Sequence, residues 1–113
     1  MPNYILSKDT VVSQQYTTPF GKYMTEEHSD GRIEAYGELS GSTDSINFEF
    51  PIWLTVWALT VTNVWYARKD LCVTAHYNMQ NHNLYFYIFD PKNPDVKPSG
   101  TLGFSFILKG RWK

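Results

Sequence analysis

His28 stands beside Glu26, Glu27 and Asp30, residue types that can hold a cation. The group follows no regular metal-ligand spacing, and a solvated hairpin tip has the same composition. Cys72 and His76 could form a thiolate–imidazole dyad, which needs the two side chains within hydrogen-bond reach. Four residues apart on one face of an extended strand, they are too distant for that. Glu34 and Glu49 could be a carboxylate pair for glycoside cleavage, facing one another across about 5–10 Å. Any antiparallel sheet carries outward glutamates of this kind. The chain has no phosphate-cradling glycine loop and no serine nucleophile elbow. The reading is a protein without catalytic residues, metal or cofactor.

The aromatic residues are the remaining chemical signal. There are four Trp, eight Tyr and seven Phe in 113 residues, against a charged fraction of only 19%. Trp53, Trp57, Trp65 and Tyr66 crowd one segment, and Tyr85 and Tyr87 share a strand face. Aromatic rings pair a large apolar area with a polar handle, so they suit both a core and a ligand surface. As a ligand surface, the best candidates are Trp65, Tyr66 and Tyr87, stacking on sugar rings. As a core or a subunit interface, the same rings would be buried.

The elements that must position these rings read as strands. Residues 1–18, "MPNYILSKDTVVSQQYTT", are polar with short apolar islands and no helical period, an extended arm with a short strand near residues 10–12. Asp30-Gly31 between two alternating runs is a hairpin signal, because a tight turn needs residues that tolerate positive φ. After it, Ile33 and Ala35 point one way, and Arg32, Glu34 and Tyr36 the other. "GELSGSTD" reads as a loop. "INFEF" alternates, with Ile46, Phe48 and Phe50 inward, and Pro51 stops the ladder. "TVWALTVTNVWY" is the longest strand candidate, followed by "LCVTAHYNM", a turn at "QNHN", and "LYFYIF". The last of these is apolar or aromatic on both faces and should be central or lie at an interface. "DPKNPDVKPSG" is a loop. In "TLGFSFILKGRW", Phe104, Phe106 and Leu108 share one face, and Ser105, Ile107 and Lys109 the other. About seven short strands and no amphipathic helix make an all-β fold, an antiparallel sandwich or barrel.

A single domain of this length buries enough surface to fold without disulfide or metal. The one cysteine, Cys72, excludes an intramolecular disulfide and is expected to be a buried free thiol. A net charge of −1 with both signs scattered encodes no broad attraction to nucleic acid or anionic lipid. The opening residues lack a basic n-region and an apolar h-region, so no signal peptide is expected. "FPIWLTVWALTV" is too short and too threonine-rich to span a bilayer as a helix.

Three stretches in this order carry a resemblance. "GKYMTEEHSDGRIEAYG" resembles the opening hairpin of a domain found at the C-termini of bacteriophage tail-fibre and tail-tip proteins. "INFEFPI" is similar to its next element, a strand ending in Phe-Pro, and "GFSFILKGRWK" to its closing strand, which runs into Gly-Arg-Trp-Lys. The similarity covers residues 19–113 as the knob domain and leaves residues 1–18 unmatched. Ala35 stands where the family often has Cys, and Tyr36 where it often has Trp.

The resemblance implies a β-sandwich knob, usually a homotrimer, on the outside of a virion on its tail, baseplate or capsid. It implies contact with a host-surface polysaccharide and no shared catalytic residues. Residues 1–18 would then be an anchor to other virion proteins. Trp112, flanked by Arg111, would be a lock on the fold or trimer. Two other readings fit the same residues: a structural decorating trimer that binds other virion proteins, and a free carbohydrate-binding module.

Overall fold

The computed structural model describes residues 10–41, 45–64, 71–93, 95 and 102–113. These form eight strands: β1 Val11–Thr18, β2 Gly21–His28, β3 Arg32–Gly41, β4 Ser45–Glu49, β5 Thr55–Val64, β6 Cys72–Asn78, β7 Asn83–Phe89 and β8 Leu102–Arg111. They make two antiparallel sheets, one of five strands in the order β1-β2-β3-β8-β5 and one of three in the order β4-β7-β6. The expected all-β sandwich is observed, with one strand more than the seven counted from turn signals.

Alternation explains which face of each strand is buried. Ile33, Ala35 and Leu39 of β3, with Phe104, Phe106 and Leu108 of β8, are each 1% exposed or less and form the inner face of the larger sheet. Ile46 of β4 and Leu84, Phe86 and Ile88 of β7 face them from the smaller sheet. The two layers are joined by rings. Phe86 lies 4.8 Å from Phe104 and 5.3 Å from Phe106 between ring centroids. Tyr23 of β2 lies 5.3 Å from Phe48 and 5.7 Å from Phe50. Such pairs each add about 0.5–1.5 kcal/mol beyond the burial of their area.

Three expectations are corrected. The short strand near residues 10–12 is a full strand, β1, paired in register with β2 from Val11↔His28 to Thr18↔Gly21. Its residues 11–15 are exposed on both faces, so it leaves no core alternation to read. β3 runs on to Gly41, opposite Leu102, through the first part of the expected loop. Cys72 is exposed, not buried. The physical reason is phase: Leu71 is buried, and Val73, Ala75 and Tyr77 pack against the core, which turns Cys72, Thr74 and His76 outward.

Candidate functional site: a tryptophan-lined end of the sandwich

Three connections meet at one end of the sandwich. They are the β2–β3 turn (residues 29–31), the β4–β5 connection (residues 50–54) and the β6–β7 turn (residues 79–82). The residues at the end of β8 tie the first two together. Arg111 Nη2 donates to the Asp30 carbonyl at 2.9 Å, and Arg111 Nε to the Lys113 main-chain oxygen at 3.0 Å. The Trp112 amide donates to the Gly31 carbonyl at 2.8 Å. Gly31 has φ of 101°, and a Cβ there would lie 2.8 Å from the Lys113 oxygen, so this close approach requires glycine. The turn is further held by Asp30, whose carboxylate accepts from the Arg32 amide at 3.0 Å and from Arg32 Nε at 2.8 Å. The hydrogen bond from the Arg32 amide, then that from its side chain, lowers the Asp30 pKa below the ordinary carboxylate value.

The β4–β5 connection is fixed from the smaller sheet. The Leu54 amide donates to the Tyr77 hydroxyl at 3.0 Å, and the Phe50 amide to the His82 carbonyl at 2.8 Å. His82 Nδ1 lies 2.6 Å from the Phe50 carbonyl, which requires the Nδ1–H form to donate. His82 adopts φ of 45°, uncommon outside glycine, and is held there by this two-way bonding with Phe50. Its ring lies against Trp53, centroids 4.2 Å apart.

Trp57 reaches the same end by a β-bulge. Val56 pairs with Gly110 and Ala58 with Lys109, so Trp57 is the extra residue of β5 and has no partner in the ladder. A bulge re-aims the side chain it carries. Trp57 and Ala58 both point outward as a result. The Arg111 guanidinium is 6.0 Å from the Trp57 ring centroid, and Lys113 Nζ is 4.9 Å from that of Trp112. Gly110 permits the fit, because a Cβ on it would come within 2.4 Å of the Thr55 carbonyl oxygen.

The outcome is a concavity of about 380 Å³ lined by Trp53, Leu54, Thr55, Met79, Arg111, Trp112 and Lys113. A second, of about 240 Å³, lies on the other side of Trp112, beside Val12 and His28. Trp53 is 56% exposed, Trp57 57% and Trp112 37%. These rings are not core: phenylalanines fill the interior, and the tryptophans are presented outside it. Small-ligand sites are concavities of this order of size, about 300–1,000 Å³, lined by apolar and aromatic groups with a few polar ones. The arrangement can take a ring-bearing ligand on its aromatic faces, with the Arg111 and Lys113 side chains beside it. The second concavity is lined by Glu27, His28 and Ser29 as well as Trp112.

Of the residues singled out from sequence, Trp112 and Arg111 are in this site. Trp65 and Tyr66 lie outside the described residues. Tyr87 is 45% exposed on the outer face of β7, where its ring is nearly parallel to that of Tyr85 at 6.3 Å, and His76 lies 5.2 Å from Tyr85. Tyr85 and Tyr87 thus form a separate platform on the three-stranded sheet. Glu34 and Glu49 project from opposite outer faces of the sandwich and do not meet. His28 lies 3.4 Å from Arg32 Nη2, and among the described residues no group of three or more His, Cys, Asp or Glu side chains could hold a metal ion. Trp53 and Trp57 were visible as part of an aromatic cluster, but their selection depends on the bulge and on the His82 contact. Comparison with known proteins finds no matching family model, no similar curated protein and no similar solved structure.

Proposed function

We propose that this chain is a non-enzymatic adhesion domain that binds a cell-surface glycan through its tryptophan-lined end, and that it does so as a tail-fibre-like knob on a phage virion. The observation that carries the binding reading is the exposure of Trp53 and Trp112 on one concavity, with the exposed Trp57 ring beside Arg111 of its lining, all three outside the buried core. Exposing large aromatic rings to water is unfavourable, and a rigid aromatic patch beside a concavity is the usual form of a binding hot spot. The phage reading is supported by the resemblance: the "SDG", "FPI" and "GRWK" stretches, far apart in the chain, come together at this end.

The test is a pair of variants, Trp53→Ala and Trp57→Ala, assayed for adsorption to cells and to glycan arrays, with melting curves alongside. A hot-spot ring contributes on the order of 2 kcal/mol, so adsorption should fall by more than about tenfold. Melting should hardly change, because exposed substitutions cost within about 0.5 kcal/mol. Melting that falls in step with adsorption would make the rings structural. Unchanged adsorption would move the site elsewhere, with the Tyr85–Tyr87 platform next to be tried.

A further inference from the structure

We infer that β1 pairs with β1 of a second copy of this chain, antiparallel and about a two-fold axis, to join the two five-stranded sheets into one. β1 is an edge strand: one side is bonded to β2 over all eight residues, and no strand among the described residues lies on the other. An open edge invites pairing, and proteins blunt it with charge, proline, bulges or brevity. The other edges of the sandwich carry such devices or are flanked. β5 has two register shifts, between Val56 and Ala58 and between Val61 and Asn63. β4 has only five residues and ends on Glu49. β6 packs beside β5 of the other sheet. β1, "VVSQQYTT", has none of them: no charge, no proline, no glycine and no register shift.

The residue types select a second copy as the partner. A two-fold pairing sets the residue on the axis against its own counterpart, so a charge there would face a like charge. β2 carries Lys22, Glu26 and Glu27, whereas β1 is uncharged. A two-fold axis perpendicular to the sheet keeps each face on its own side. Centred on Gln14, it sets Val12 against Tyr16 of the second copy and Ser13 against Gln15 of the second copy, each twice. Gln14 would meet Gln14 of the second copy, and an amide both donates and accepts, so it complements itself. Within one chain Gln14 Oε1 already accepts from the Tyr16 hydroxyl at 2.8 Å, which leaves its NH₂ free to donate. Val11 and Val12, 46% and 55% exposed, would be covered in part. One strand pair is small beside the roughly 1,200–2,000 Å² of a standard interface, so the pairing should be reversible on dilution.

The experiment is sedimentation of the full chain over a wide concentration range, for the parent, Gln14→Lys, Gln14→Glu and an equimolar mixture of the two variants. The parent should move from the 13.1 kDa chain mass toward twice that mass as concentration rises. Each variant alone should dimerise at least about tenfold more weakly with an unchanged melting curve, and the mixture should regain the parent's affinity. A parent that stays at the single-chain mass throughout would overturn the inference. So would an assembly of three chain masses, the state the family resemblance implies, or a dimer indifferent to both substitutions.

Discussion

The Trp112 amide is bonded to the Gly31 carbonyl at 2.8 Å, which holds the residues after β8 on the turn between β2 and β3. The bond is made by the main chain, and the Arg111 guanidinium adds another to the neighbouring Asp30 carbonyl. The Trp112 ring, still 37% exposed, is only partly involved. Deleting residues 111–113 should therefore cost about 2–3 kcal/mol, near the sum of two or three hydrogen bonds and the partial ring burial. Trp112→Ala should cost about 1 kcal/mol and leave most of the lock in place. Chemical denaturation of both variants checks this, and equal losses would put the lock in the ring.

Gly110 and the bulge at Trp57 form a second dependence. A Cβ at residue 110 would lie 2.4 Å from the Thr55 carbonyl oxygen, so Gly110→Ala must displace the start of β5. Overpacking of this kind costs about 1–3 kcal/mol. Because Trp57 is aimed by the same register shift, the variant should also alter tryptophan emission and weaken ligand binding. An Ala variant that melts and binds like the parent would mean the bulge does not depend on this approach.

The strands and their inward faces were legible wherever apolar and polar residues alternate, as in β4 and β8. β1 was not, because neither of its faces is deeply buried and only its pairing with β2 makes it a strand. In β6 both phases hold plausible inward residues, and the apolar character of Cys72 masked the stronger set of Leu71, Val73, Ala75 and Tyr77. The aromatic content of the site was visible, but its location was not. Which tryptophan is aimed outward depends on a bulge, and a bulge is a relation between two strands far apart in sequence. The meeting of residues 30, 53, 82 and 112 likewise exists only once the sheet order is set.

Tyr23 supplies a pH dependence with a definite sign. It is buried against Phe48, Phe50 and Phe106, and this burial, with a smaller effect from Tyr16, raises its phenol pKa above the ordinary value of 10.0. The folded pKa lies above the unfolded one, so its contribution is fully present below about pH 10 and is lost as pH rises beyond it. Tyr36 and Tyr77 are shifted in the same direction, Tyr36 mainly through the hydrogen bond it donates to Glu26 at 3.0 Å and Tyr77 mainly through burial. Denaturation midpoints from pH 8 to 11 should fall at the alkaline end, and Tyr23→Phe should flatten that fall. Identical alkaline slopes for parent and variant would show that Tyr23 does not control it.

Thr25 is the place where the fold is open to improvement. It lies on β2 opposite Ala35, is 0% exposed, and its hydroxyl has no hydrogen-bond partner among the described residues. A buried hydroxyl without a partner costs about 1–3 kcal/mol in lost hydration. Valine has nearly the same shape, favours strands, and carries no polar atom. Thr25→Val should therefore stabilise the chain by about 1 kcal/mol and raise the melting temperature by a few degrees. Thr25→Ser keeps the stranded hydroxyl and removes a buried methyl, so it should destabilise by about 1 kcal/mol. Opposite signs for the two variants would tie the effect to the unmet hydroxyl. If valine instead lowers stability, the hydroxyl has a partner in solution, and a buried water bridging it to a nearby main-chain group would be the first to look for.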